Sequence, residues 1–130
     1  IMKHFVSSIQ QQILIPKELI VAVLLPYTLD IYREINHKRG HKLVQELGLN
    51  VKEEEYIYTY IKIRLANLIR TIGFPTKLSS LHIKKDELPK LAENAYLNYV
   101  KNNKSKNNLE KQLFHKIYED AYYGKIKSFY

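Results

Sequence analysis

A bundle of about five to seven α-helices is the fold this 130-residue sequence predicts, and three observations carry it. Apolar residues recur at helical spacing, most clearly at Ile57, Ile61, Leu65, Leu68 and Ile72, which lie three and four positions apart. Glycines and prolines stand where helices would start and stop. No stretch sustains the alternation of a half-buried strand; the β-rich window Tyr56-Ile57-Tyr58-Thr59-Tyr60-Ile61 falls inside the longer helical pattern.

Taken in chain order, Pro16-Lys17-Glu18 reads as a helix entry. The segment Leu19 to Ile35 is apolar nearly all round, as in a helix at the centre of a bundle, with Pro26 expected to kink it. Asn36 to Leu47 reads as a second helix closed by Gly48. Asn50 is the expected cap of the next, whose first turn holds Glu53, Glu54 and Glu55, and Gly73-Phe74-Pro75 stops it. Asp86 is expected to cap a helix that turns Leu88, Leu91, Ala92, Ala95 and Tyr96 inward, with Pro89 in its first turn. The polar run Lys101 to Asn108 reads as a surface loop. Asn107 or Asn108 then opens a last helix bearing Leu109, Leu113, Ile117 and Ala121, closed by Gly124. No repeat or linker divides the chain, so residues 1–130 are expected to form one domain.

Composition narrows the function classes. The absence of cysteine rules out disulfides and thiolate metal sites. The longest apolar run, Leu19 to Leu25, is far short of the roughly 20 residues a membrane span needs, and no signal peptide is visible. An intracellular, cytoplasmic protein is expected. The net charge of +8 raises nucleic acid or an anionic surface as a partner. Against that, the lysines are interspersed with acids, and Lys, Asn, Ile and Tyr enrichment also follows from an AT-rich gene. Half of the excess charge sits in residues 101–130, where Tyr122, Tyr123, Phe129 and Tyr130 with Lys125 and Lys127 make the one aromatic–basic patch. Tyr60, Tyr96, Tyr118 and Tyr122 fall on or beside apolar stripes and are expected to pack.

Candidate ligands are sparse. His37 and His41 have the spacing of two metal ligands on one helix face, but Lys38 and Arg39 lie between them and Gly40 weakens that helix. Solvated surface histidines are the simpler reading. His82 and His115 stand alone. The Glu53–Glu55 triplet is accounted for by the helix dipole. No catalytic triad or acid–base carboxylate pair can be drawn.

Several stretches in fixed order nevertheless form a pattern. They are Ala22-Val23-Leu24-Leu25-Pro26, Leu43-Val44-Gln45-Glu46-Leu47-Gly48, and Ile72-Gly73-Phe74-Pro75-Thr76-Lys77-Leu78. Asp86-Glu87-Leu88-Pro89-Lys90-Leu91-Ala92 and a closing helix ending in Ala121-Tyr122 complete it. Over residues 16–122 the chain resembles the C-terminal helical domain of the iron-dependent (group III) alcohol dehydrogenases. The resemblance implies a helical half that, with an α/β half holding NAD or NADP, encloses iron or zinc and transfers hydride between the nicotinamide and an aldehyde or alcohol.

It also implies that this chain lacks the parts that do the chemistry. The cofactor domain would precede residue 1, and none of the glycines (40, 48, 73 and 124) has phosphate-binding spacing. The family's ligand motif is P-H-G-x-x-N-A; the matching stretch is Pro16-Lys17-Glu18-Leu19-Ile20-Val21-Ala22, so Lys17 holds the histidine's place. A second ligand position falls on Lys3, with His4 one step away, and the remaining two would precede residue 1. An ammonium repels a divalent metal. The expectation is therefore no catalytic, cofactor or metal residues, no NAD(P), iron or zinc, and no activity from this chain by itself. Either the rest lies elsewhere, or the domain is a scaffold or a module that contacts RNA or protein through its basic C-terminal end. Without the other half, Phe5, Val6, Ile9, Ile13, Leu14, Ile15, Leu19 and Ile20 are expected to form an apolar surface for self-association or a partner domain.

Overall fold

The computed structural model describes residues 2–38, 51–102 and 109–125. They form five α-helices: α1 (Met2–Gln10), α2 (Lys17–Lys38), α3 (Val51–Thr71), α4 (Leu88–Asn102) and α5 (Lys111–Tyr123). Two 3₁₀ turns, Leu78–Leu81 and Lys85–Glu87, join α3 to α4. No strand occurs among the described residues, and no described helix is long and apolar enough to cross a membrane. The expected helix from Asn36 to Leu47, its Gly48 stop and the Asn50 cap fall largely outside the described residues; α2 itself continues past Ile35 to Lys38.

Helices α1, α4 and α5 pack on one another, α2 lies across α1 and α5, and α3 lies against α2. The core is aromatic at its centre. Phe5 of α1 stacks on Phe114 of α5, ring centroids 5.0 Å apart, and Tyr96 and Tyr99 of α4 contact the same Phe114 ring. Tyr118 is fully buried and donates its hydroxyl to the Phe5 carbonyl at 2.7 Å, which satisfies a polar group the apolar interior would otherwise penalise. Ser8 does the same across the α1–α4 contact, donating to the Leu91 carbonyl at 2.7 Å.

The apolar N-terminal segment turns inward. Phe5, Val6, Ile9 and Ile20 are buried, Ile13, Ile15 and Leu19 pack against the core, and only Leu14 projects fully into solvent. The surface expected at residues 1–20 is thus part of the domain's own core, because α1 lays its apolar face over α4 and α5.

Helix boundaries follow local chemistry with small shifts. Pro16 leaves its carbonyl to the Leu19 and Ile20 amides. Pro26 lies inside α2, which continues on both sides of it, and Thr28 donates back to the Leu25 carbonyl at 3.0 Å. Gly73 (φ +86°) ends α3 and Gly124 (φ +69°) ends α5, each in a left-handed conformation that L-residues resist. In both, the next amide reaches five residues back, Phe74 to Ile69 and Lys125 to Asp120. Asp86 is not a cap but part of the turn before α4; the Lys84 amide there donates to the Glu87 carboxylate. The α4 helix runs through Lys101 and Asn102, residues expected in the loop. The final helix starts at Lys111 behind an extended Glu110, later than Asn107 or Asn108 would have placed it, yet Leu109 is buried and Ile117 and Ala121 face the core.

The largest departure is in α3. Its expected inward stripe does not face the bundle: Ile61 is exposed, Leu68 is 58% exposed and Ile72 57%, while Lys62 and Ile69 are buried. Tyr60, expected to pack, is 63% exposed. A step of one residue turns a helix by about 100°, so the helix sits roughly one position away from its most apolar phase. In this phase Lys62 reaches the buried Asp30 carboxylate of α2.

The core makes a direct stability prediction. Phe114→Ala should destabilise by about 3–5 kcal/mol, and Leu14→Ala should stay within about 0.5 kcal/mol. Urea denaturation of the two variants, followed by circular dichroism, checks both.

Candidate functional site

Lys3 and His4 lie on α1, and Lys17 is the first residue of α2. Lys3 and Lys17 are exposed. His4 is half-buried with its ring edge-on to Tyr99, centroids 6.4 Å apart. Burial first, and then nearby positive charge including Lys3, lower its pKa. Among the described residues, no three His, Cys, Asp or Glu side chains come together as a metal site would need. The ammoniums of Lys3 and Lys17 have no lone pair to donate to a metal, and His4 is a single imidazole packed on a tyrosine.

His37 is in α2, and His41 lies outside the described residues. Glu53, Glu54 and Glu55 occupy the first turns of α3. His82 sits in an exposed left-handed turn (φ +62°). His115 faces Glu119 one helical turn away at 3.6 Å. It also borders an open groove of about 360 Å³ with Pro89, Ala92, Glu93, Lys111 and Gln112. Lys111 and Glu93 pair across that groove at 3.6 Å, and both are exposed.

The most developed polar constellation involves residues that sequence reasoning did not single out. Asp30 of α2 is 2% exposed. Lys62 of α3 donates to its Oδ1 at 2.8 Å, and Lys116 of α5 to its Oδ2 at 3.2 Å. Lys116 also reaches Asp120, one turn along α5, at 3.2 Å. Two carboxylates and two ammoniums thus join three helices. Burial pulls the Lys116 pKa down, but Asp30 and Asp120 more than reverse it, so it ends above the ordinary lysine value. Burial, assisted by Asp120, pushes the neighbouring Tyr27 phenol up to about 12. Tyr118 is raised by burial as well. A signal for this site was present: Asp30 is a lone acid within the apolar segment Leu19 to Tyr32, and a carboxylate there must find a cation.

The aromatic–basic patch is partly assembled. Lys125 Nζ lies 4.9 Å from the centre of the Tyr123 ring, and Tyr122 meets that ring edge-on at 5.1 Å. Lys85, from the turn before α4, joins them at 5.4 Å. Lys127, Phe129 and Tyr130 lie outside the described residues.

Two predictions follow from the buried network. Asp30→Ala strands the Lys62 ammonium in the interior and should cost about 3–5 kcal/mol, whereas Lys116→Ala, with a half-exposed ammonium, should cost under about 1 kcal/mol. Chemical denaturation measures both. The raised Lys116, Tyr27 and Tyr118 hold protons in the folded chain at a pH where the unfolded chain has released them. For Tyr27 that stabilisation is full below pH 10.0, the ordinary tyrosine value, and is lost as pH rises through about 12; Lys116 and Tyr118 act in the same direction. Thermal melts between those limits should show a falling Tm, with Tyr27→Phe flattening the decline.

No curated protein and no solved structure matches the chain. The family described as Fe-containing alcohol dehydrogenase, C-terminal, matches residues 4–122, nearly the whole helical bundle from α1 to the end of α5. The chain therefore belongs to the Fe-containing alcohol dehydrogenase family, as a C-terminal helical domain.

Proposed function

We propose that this domain carries the family's helical scaffold without its metal chemistry, and that by itself it transfers no hydride. The observation that supports this reading is Lys17. The resemblance gives that position to a metal-ligating histidine, and here it presents an exposed ammonium at the start of α2. A cation there opposes a divalent metal electrostatically, and neither Lys3 nor His4 compensates. Gly73 and Gly124 both serve as helix stops, so neither forms part of a phosphate-cradling loop. What the domain does supply is a packed framework in which α1, α2, α4 and α5 share one core. Its role is accordingly that of a scaffold.

Elemental analysis after chelator treatment and reloading with iron or zinc should find far less than one metal per chain. Calorimetry with NAD or NADP should show no micromolar binding. Stoichiometric metal retained by the wild type and lost in Lys17→Ala or His4→Ala would overturn the proposal.

A further inference from the structure

We propose that the C-terminal end of α5 carries a binding site for the phosphate backbone of a single-stranded nucleic acid, formed by Lys85 and Lys125 at the Tyr123 ring and Lys77 beside Gly124. The three lysines come from separate segments: Lys77 precedes the first 3₁₀ turn, Lys85 lies in the second, and Lys125 follows the Gly124 stop. The fold brings them to one place. Lys85 and Lys125 hold their ammoniums 5.4 and 4.9 Å from the Tyr123 ring centre. The Lys77 stem runs along Gly124, where a Cβ would come within 3.0 Å of its Cγ. All three lysines are exposed.

These charges are not spent within the domain. None of the three forms an ion pair with a carboxylate among the described residues. Of the nearby acids on α5, Asp120 pairs with Lys116 and Glu119 faces His115, and Glu119 also attracts the Lys85 ammonium without forming an ion pair with it. The negative end of the α5 dipole and the tyrosine face each offset part of the repulsion among like charges, but neither neutralises a full ammonium. The result is a concentrated positive site on a chain of net charge +8. Phosphate spaced along a strand is the ligand chemistry that complements it. Tyr123 favours a single strand over a duplex or an acidic peptide, because an unstacked base can reach its ring beside the lysines that hold the phosphates.

The test uses the whole chain and fluorescence anisotropy with labelled oligo-dT and oligo-U. Binding is expected at about 50 mM salt, and log affinity should fall against log salt with a slope near −2, as three phosphate contacts on a single strand require. Reversing all three charges (Lys77→Glu, Lys85→Glu and Lys125→Glu together) should weaken binding at least about tenfold. Reversing three exposed lysines elsewhere, Lys3, Lys17 and Lys101, should weaken it far less, and circular dichroism should show both triple variants folded. Tyr123→Leu should weaken binding severalfold with the salt slope unchanged. Equal losses from the two triple variants would mean that net charge alone attracts the strand, and would overturn the site. Equal competition by duplex DNA or polyglutamate, no effect of Tyr123→Leu, or no binding at low salt would each overturn it too.

Discussion

The Asp30 carboxylate is inside the protein, and a buried anion is tolerable only when cations are brought to it. Two are brought, from different helices, so satisfying one side chain fixes where α3 and α5 stand relative to α2. The requirement overrides the hydrophobic pattern of α3. That helix would bury more apolar surface if turned toward Ile61, Leu68 and Ile72, at roughly 25 cal/mol per Å² gained. The turn would carry Lys62 away from Asp30 and leave the buried carboxylate with Lys116 as its cation. The ion pair therefore sets the phase of the helix, and the apolar stripe remains on the outer side.

The core and the start of α2 are physically separable. Phe5, Phe114, Tyr118 and their neighbours hold the bundle together through contacts that no metal mediates. Lys17, at the start of α2, is exposed and outside that core. A change of side chain at position 17 therefore disturbs little of the packing, so the architecture of the bundle does not depend on what stands there. Family membership, which follows the packing pattern, and catalytic competence, which follows a few donor atoms, need not travel together.

Much of this was legible in the chain. Helical class, the glycine stops at 73 and 124, and the inward faces of α4 and α5 follow from periodicity and backbone preference, which are local properties. The α3 phase was not legible from its own stripe, because it depends on a partner 32 positions away in sequence. The inward turn of residues 2–20 was missed for a related reason: apolar residues announce that they will be buried, not which surface will cover them. Lys85 was invisible as a member of the Tyr123 patch until the loop between α3 and α4 was folded back.

The one-sided attachment of α3 has a consequence for how the domain opens. Its principal neighbour is α2, whereas α1, α4 and α5 hold each other through several mutual contacts. Among its described residues α3 buries one apolar side chain, Ile69, so its opening is the one that need not disturb the Phe114 core. The Asp30–Lys62 pair resists this less than its burial suggests, because detachment admits water to both charges and returns the hydration that folding removed. Its amide protons accordingly exchange with solvent through a partial opening, while those facing Phe114 wait for the whole bundle to unfold.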